Sequence, residues 1–314
     1  MVLAILCPGQ GSQTPGFLTP WLDVPGVAEQ LQRLSDAAEL DLIHYGTQAD
    51  EETIKDTAIA QPLIVAASLV SARAAGLDSA GLDGAPQDAI IAGHSVGEIA
   101  AAALAGIFSD EDAMKFVSQR AQAMALATKA TPTGMAAVLG GDQEEVLAAI
   151  RAADLTPANV NGGGQIVAAG ALENLERFTT EPPAKARVIP LKVAGAFHTS
   201  YMEAARASLG EAAPSYSPAD PARTILTNFD GSEVATGGEY LSHLVEQVAR
   251  PVRWDLTMET MGRLGVSGII ELAPAGTLVG IAKRVMKGVP SVGLKTPEDL
   301  GAAANLVSEM NDGA

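Results

Sequence analysis

The amino-acid sequence predicts an α/β fold, in which a large domain on a mostly parallel sheet is interrupted by a small ferredoxin-like insert. Three observations predict it. Strand-like and helix-like segments alternate toward both ends of the chain. Between them, Gly134 to Val193 reads as βαββαβ, and about sixty residues is the size of a ferredoxin-like unit. Finally, 314 residues, 47% of them hydrophobic, supply cores for roughly two domains and exclude a disordered chain or a fibre. The expected division is residues 1–130 with 198–314 for the large domain and 131–197 for the insert.

Each element follows from its pattern. Val2–Cys7 is continuously apolar and stopped by Pro8-Gly9, a short buried strand. Gln61–Ala75 has helix-spaced Leu63, Ala66, Ala67, Val70 and Ala74, and ends at Gly76, a C-cap. Asp88–Ala92 is strand-like, with the Ala-rich helix Ser95–Gly106 behind it, and Asp110 and Glu111 suit the positive end of a next helix. In the insert, strands at Gly134–Leu139, Pro157–Asn161, Gln165–Ala169 and Arg187–Val193 enclose helices at Gln143–Ala153 and Leu172–Thr180. Afterwards come a helix at His198–Glu211, a strand at Arg223–Asn228, and helices at Glu239–Val248 and Trp254–Leu264. Strand Val266–Leu272, helix Ala275–Lys287, strand Ser291–Leu294 and helix Glu298–Met310 complete the chain. The insert's two junctions are expected to form a hinge line, and a cleft between domains is a favoured ligand site.

A net charge of −17 argues against general binding to nucleic acid or to an anionic membrane surface. One cysteine, Cys7, excludes an internal disulfide framework and a Cys-built zinc site, and fits a reducing compartment. The N-terminal apolar run is too short for a signal peptide, and the longest later one, Ile99–Phe108, is far short of the ~20 residues that span a bilayer. A soluble, cytoplasmic protein is expected.

Gly93-His94-Ser95-Val96-Gly97 is a G-x-S-x-G pentapeptide between a predicted strand and a predicted helix. A nucleophile elbow requires that setting: a sharp turn lifts the serine Oγ clear of the sheet, and only glycine fits the crowded flanks. The following helix aims its N-terminal amides at the same place, so the Val96 N–H faces a developing oxyanion. The alternative is a glycine-flanked turn with an incidental serine. Pro8-Gly9-Gln10-Gly11-Ser12-Gln13 lacks the Gly-Lys-Ser/Thr of a P-loop and the third glycine of a dinucleotide fingerprint. It is either a flexible turn or the source of a second oxyanion donor, the Gln10 N–H.

A serine needs a base, and there are four histidines. His94 lies inside the elbow and is expected to point away from the nucleophile. His44, between Leu42-Ile43 and Tyr45, reads as structural, and His243, near Glu246, as surface-exposed. His198 stands where the insert rejoins the main domain, on the expected cleft, and is the candidate base. Arg120 shares a helical stripe with Ala113, Phe116, Val117, Met124 and Ala127. A guanidinium on an apolar face needs an anion. That anion is either one of this acidic chain's own carboxylates or the carboxylate of a substrate held by a bidentate fork.

Taken together, Gly9-Gln10-Gly11-Ser12-Gln13, Gly93-His94-Ser95-Val96-Gly97-Glu98, Gln119-Arg120, Gly195-Ala196-Phe197-His198 and Gln247-Val248-Ala249-Arg250-Pro251-Val252-Arg253-Trp254 resemble the malonyl-CoA:acyl carrier protein transacylase family. The resemblance spans essentially the whole chain. It implies an α/β-hydrolase-like large domain carrying a ferredoxin-like insert. By the same resemblance Ser95 is the nucleophile, His198 the general base and acid, and Arg120 the clamp for the malonyl carboxylate. The amides of Gln10 and Val96 form the oxyanion hole, a Gln247 carbonyl orients His198, and Asn161 lines the cleft. Malonyl-selective members carry a bulky Phe before the histidine, as Phe197 is here, where methylmalonyl-accepting members usually carry Ser. No triad acid follows His198, an absence the family shares.

The implied reaction is ping-pong transfer of malonyl from malonyl-CoA to the phosphopantetheine thiol of acyl carrier protein through a Ser95 ester. It needs no cofactor and no metal, and the family leads one to expect a monomer. Thiols with a pKa near ~8.5 leave easily, so a neutral carbonyl can replace the triad acid. The carrier is usually acidic, so docking on this acidic chain needs a local basic patch, at Lys283-Arg284-Lys287 or at Arg250 and Arg253. Two other readings use the same residues: a serine esterase or thioesterase, and a non-catalytic carrier-docking subunit with a relic site. Arg120 argues against the first, and the intact Ser95, His198 and Arg120 set argues against the second.

Overall fold

The computed structural model describes residues 1–77 and 88–312. Strand β1 (Val2–Cys7) leads into helices α1 (Val27–Ala38), α2 (Leu42–Thr47) and α3 (Thr57–Ala74), then β2 (Ile90–Gly93). Helices α4 (Gly97–Leu104) and α5 (Asp110–Ala127) follow. The next block is β3 (Thr133–Gly140), α6 (Gln143–Ala152), β4 (Thr156–Gly162), β5 (Gln165–Ala171), α7 (Leu172–Thr180) and β6 (Ala186–Pro190). After it come α8 (Glu203–Ala212), β7 (Thr224–Leu226), α9 (Gly237–Gln247) and α10 (Trp254–Arg263). The chain continues through β8 (Val266–Glu271), α11 (Thr277–Val285), β9 (Ser291–Gly293) and α12 (Leu300–Asp312).

Five strands form one sheet in the order β7-β2-β1-β8-β9, and every neighbouring pair is parallel. Parallel strands are covered on both faces, which is why β1 is apolar at every position. Its alternate residues feed two cores. Leu3, Ile5 and Cys7 face the larger cluster with α1, α3, α4 and α5, while Ala4 and Leu6 meet Trp254, Met258 and Leu278 on the other side. The βαββαβ block makes a separate antiparallel sheet, β4-β5-β3-β6, with its own core around Val138, Ile150, Val160 and Phe178. That strand order is the ferredoxin-like arrangement expected.

The two sheets are joined by more than the chain. Val160 N–H donates to the Val252 carbonyl and Val252 N–H to the Ala158 carbonyl, both at 2.9 Å, so β4 gains a parallel bridge to the segment before α10. On the opposite side, Ala196 N–H donates to Thr133 Oγ1 at 3.0 Å, which brings the insert's two junctions together.

Several expectations need correction. Helix α3 starts at Thr57, not Gln61, because Asp56 accepts the Ala58 N–H and caps it, leaving Pro62 inside the helix. It is buried on nearly every face, against α1, α2, α4 and α5, which outweighs the proline's lost hydrogen bond. At 18 residues it is also the one described helix apolar and long enough to pass a membrane-span test, which Ile99–Phe108 is not. Its burial within the protein accounts for that composition. The helix expected from His198 begins at Glu203, since His198 itself has φ +60°. Helices α1 and α2 carry no counterpart in the strand-and-helix alternation, although Val27, Leu31, Leu34 and Ala38 bury one face of α1 at regular spacing.

Candidate active site

Ser95 sits in the turn between β2 and α4 with φ +54°, a left-handed conformation that costs a non-glycine residue roughly 1–3 kcal/mol. The glycines around it are dictated by sterics. A Cβ on Gly93 would fall 2.1 Å from the Gly97 carbonyl carbon, and one on Gly97 would fall 2.2 Å from the Cys7 carbonyl oxygen. Helix α4 therefore packs directly against the end of β1, and the serine is thrust out of the turn. Asn228, just after β7, braces the turn from below. Its Oδ1 accepts the Ser95 N–H at 2.7 Å, and its Nδ2 donates to the Gly93 carbonyl at 2.7 Å.

His198, also left-handed at φ +60°, brings Nε2 to 2.7 Å from Ser95 Oγ. Its Nδ1 lies 2.8 Å from the main-chain carbonyl of Gln247. A carbonyl can only accept, so Nδ1 carries the proton and Nε2 is left free to accept from the serine. Burial, and then the neighbouring Arg120 cation, push His198 down to about 3, which keeps the ring neutral.

Arg120 lies on α5 and is 1% exposed. Nη1 donates to Gln61 Oε1 at 2.5 Å and Nη2 to Gln247 Oε1 at 2.8 Å, with Ser95 Oγ 3.5 Å from Nη2. Among the described residues no acid forms an ion pair with it. Burial lowers its pKa to about 10, and the charge of Glu98 opposes that. The anion it needs is thus not supplied by direct pairing with any described residue, and the guanidinium, held by two neutral amide oxygens, retains donors for a guest.

These groups face one cavity of about 440 Å³, lined also by Gln10, Val96, Asn161 and Phe197. Neither Gln10 nor Val96 gives its amide proton to a protein acceptor among the described residues. Ser95, His198, Arg120, Gln10, Val96, Asn161 and Phe197 thus line one cavity, and Gln247 joins them through its bonds to His198 and Arg120. His94 does not point away, however: it lines the same cavity, where its Nε2 bonds Asn161 Oδ1 at 2.9 Å across the two sheets. Its neighbour on the other side is Gly9, where a Cβ would fall 2.9 Å from His94 Nδ1. His44 is exposed on α2. His243 is only half-exposed, stacked under Phe229 with ring centroids 4.9 Å apart. Arg250 and Arg253 are engaged by Glu246 and Asp255, whereas Lys283, Arg284 and Lys287 stand exposed at the end of α11.

Four groups escaped sequence reasoning: Gln61, Glu98, Asn228 and the side chain of Gln247. Signals existed for two of them. Glu98 is a lone acid entering an Ala-rich apolar helix, and Asn228 follows the carboxyl end of a parallel strand, where ligand sites gather.

A serine bonded to a neutral histidine on a strand–turn–helix elbow, with free amides and a buried cation beside it, is equipment for serine-dependent acyl chemistry. The chain belongs to the acyl transferase domain family, whose profile matches residues 5–310. It is 50% identical to the malonyl CoA-acyl carrier protein transacylase of Mycobacterium tuberculosis, over 97% of this chain and 100% of that protein. The crystal structure of MCAT from M. tuberculosis superposes with a TM-score of 0.92, at 50% identity over 97% of this chain and 100% of that one. A malonyl-transacylase solved in complex with a type II PKS acyl-carrier protein superposes with a TM-score of 0.89, at 27% identity over 97% of this chain and 99% of that one.

Proposed function

We propose that this protein is a malonyl-CoA:acyl carrier protein S-malonyltransferase that works through a malonyl ester on Ser95, in the cytoplasm. The observation that carries the reading is the buried Arg120 guanidinium beside the Ser95–His198 pair, with no acid paired to it among the described residues. Malonyl brings its own carboxylate to such a place, as acetyl does not.

In the first half-reaction Ser95 Oγ attacks the thioester carbon while its proton passes to His198 Nε2. The oxyanion is received by the Gln10 and Val96 amides. As the C–S bond breaks, His198 returns the proton to the departing sulfur, and CoA leaves as a thiol. In the second, the carrier's pantetheine thiol gives its proton to His198 and attacks the ester, and Ser95 Oγ recovers the proton. The carbonyl of Gln247 suffices as partner to His198 because a thiol, unlike an amine, is an easy leaving group. Arg120 retains the carboxylate while the two thiols exchange. Phe197, buried on the cavity wall, restricts the space beside the acyl group and favours malonyl over its methyl-branched homologue.

Residues 1–130 with 198–314 act as the catalytic domain and 131–197 as a wall of the cleft, consistent with the insert's separate core. The test is incubation with malonyl-, methylmalonyl- and acetyl-CoA, followed by intact mass and peptide mapping. Malonyl is expected on Ser95 alone and no adduct in Ser95→Ala; a malonyl adduct on another residue, or none on the wild type, defeats the proposal.

A further inference from the structure

Glu98, the second residue of α4, is 1% exposed and does not line the cavity. It nevertheless touches two supports of the reacting groups, Asn228 and Gln247. Its Oε1 accepts the Asn228 N–H at 2.7 Å, and Asn228 is the residue that holds the backbone of the elbow on both sides of the turn. Its Oε2 accepts from Gln247 Nε2 in a short hydrogen bond. The same Nε2 also donates to the Ser95 carbonyl at 3.0 Å, while Gln247 Oε1 faces Arg120.

The carboxylate and the guanidinium are thus separated by one side-chain amide, and an amide has a direction. Burial raises Glu98 to about 7, against the Asn228 and Gln247 hydrogen bonds and the Arg120 charge that favour its anion; as the anion it only accepts, so it fixes the NH₂ end of Gln247 toward itself and the oxygen toward Arg120. Reversed, the amide would set two N–H donors against the guanidinium and two acceptors against each other. A direct Glu–Arg pair would neutralise the cation just as well, but it would consume the donors that a substrate carboxylate needs.

We infer that Glu98 is a positioning residue for malonyl selection: acting through the Gln247 amide, it aims the Arg120 fork and keeps it charged yet unoccupied. This rests on the reading of Arg120 as the malonyl clamp. The chain's own acid is kept one amide away, so the cation is partly compensated and the guest's anion completes it.

Glu98→Gln keeps the shape and removes the constraint. Its Oε1 still accepts from Asn228, which turns an NH₂ toward Gln247 and favours the reversed amide. Acylation by malonyl-CoA is expected to lose on the order of thirtyfold in kcat/KM, mostly through KM, and acylation by acetyl-CoA less than about threefold. In a Gln247→Met background the further loss from Glu98→Gln should shrink to under about threefold, because the intermediary is gone. Glu98→Asp, which draws the carboxylate back by one methylene, should lower the malonyl/acetyl ratio by about threefold, and it serves if the glutamine variant does not fold. Equal losses for both acyl groups, an unaltered ratio in both variants, or an undiminished loss in the Met background overturns the inference. Arg120→Ala run alongside separates the failures. If that variant also leaves the ratio unchanged, the clamp reading fails; if it alone lowers the ratio, only the role of Glu98 fails.

Discussion

Arg120→Ala removes a buried cation that the described residues satisfy with two amide oxygens and leave without an acid. In the malonyl complex the guest's carboxylate would then sit in a desolvated pocket with no counter-charge. Removing one partner of a buried ion pair costs roughly 3–5 kcal/mol. At ~1.4 kcal/mol per decade, that is roughly two to three and a half decades in kcat/KM for malonyl-CoA. Acetyl-CoA has no carboxylate to lose. Its acylation rate should stay within about threefold, or rise, because Arg120 is the second largest cause of the low basicity of His198. The assay is the rate of Ser95 ester formation with each thioester, by rapid quench and intact mass, with the thermal midpoint measured alongside. Arg120→Lys should fall between, since an ammonium offers a point charge where a guanidinium offers a fork. If malonyl and acetyl loading decline by the same factor, the cation is serving the fold and not the acyl group.

Two further predictions concern His198 and docking. Because the folded-state value for His198, about 3, lies below the ordinary 6.5, the unfolded chain binds more protons through that window. His198 therefore contributes stability above pH 6.5 that is lost as pH falls toward 3, and urea denaturation should show a steeper acid loss in wild type than in His198→Gln; matching slopes would refute this. Reversing Lys283, Arg284 and Lys287 to Glu should raise KM for the carrier protein and leave ester formation from malonyl-CoA unchanged. Helix α11 begins on the cavity at Thr277 and Leu278, and Arg284 lies roughly 9 Å further along it at 1.5 Å per residue. An unaltered KM for the carrier would remove that surface from the docking account.

The elbow was legible because its chemistry is local: no residue but glycine fits at 93 and 97, so the spacing survives in the sequence itself. The insert was legible because apolar periods of two and of 3.6 alternate cleanly along residues 134–193. Arg120 announced itself as a charge on an apolar stripe, but its partners did not. Gln61 comes from α3 and Gln247 from α9, and nothing in one segment reports what another brings to it. The non-helical start at His198 was hidden for a related reason. Its left-handed backbone carries no local turn signal and accompanies ring bonds to Ser95 and Gln247, both distant in sequence.

A panel hung along one line can swing; pinned at a point off that line, it cannot. The insert enters and leaves beside Thr133 and Ala196, whereas the Asn159–Val252 bridge grips β4, at the far edge of the sheet from β6 and two strands from β3. That is a lever arm of roughly 10 Å at the usual strand spacing. Swinging the insert outward would tear two backbone bonds, which resists widening of the mouth. An opening held in this way suits slender thiol-bearing arms that thread it while the bodies of their carriers stay outside at the rim.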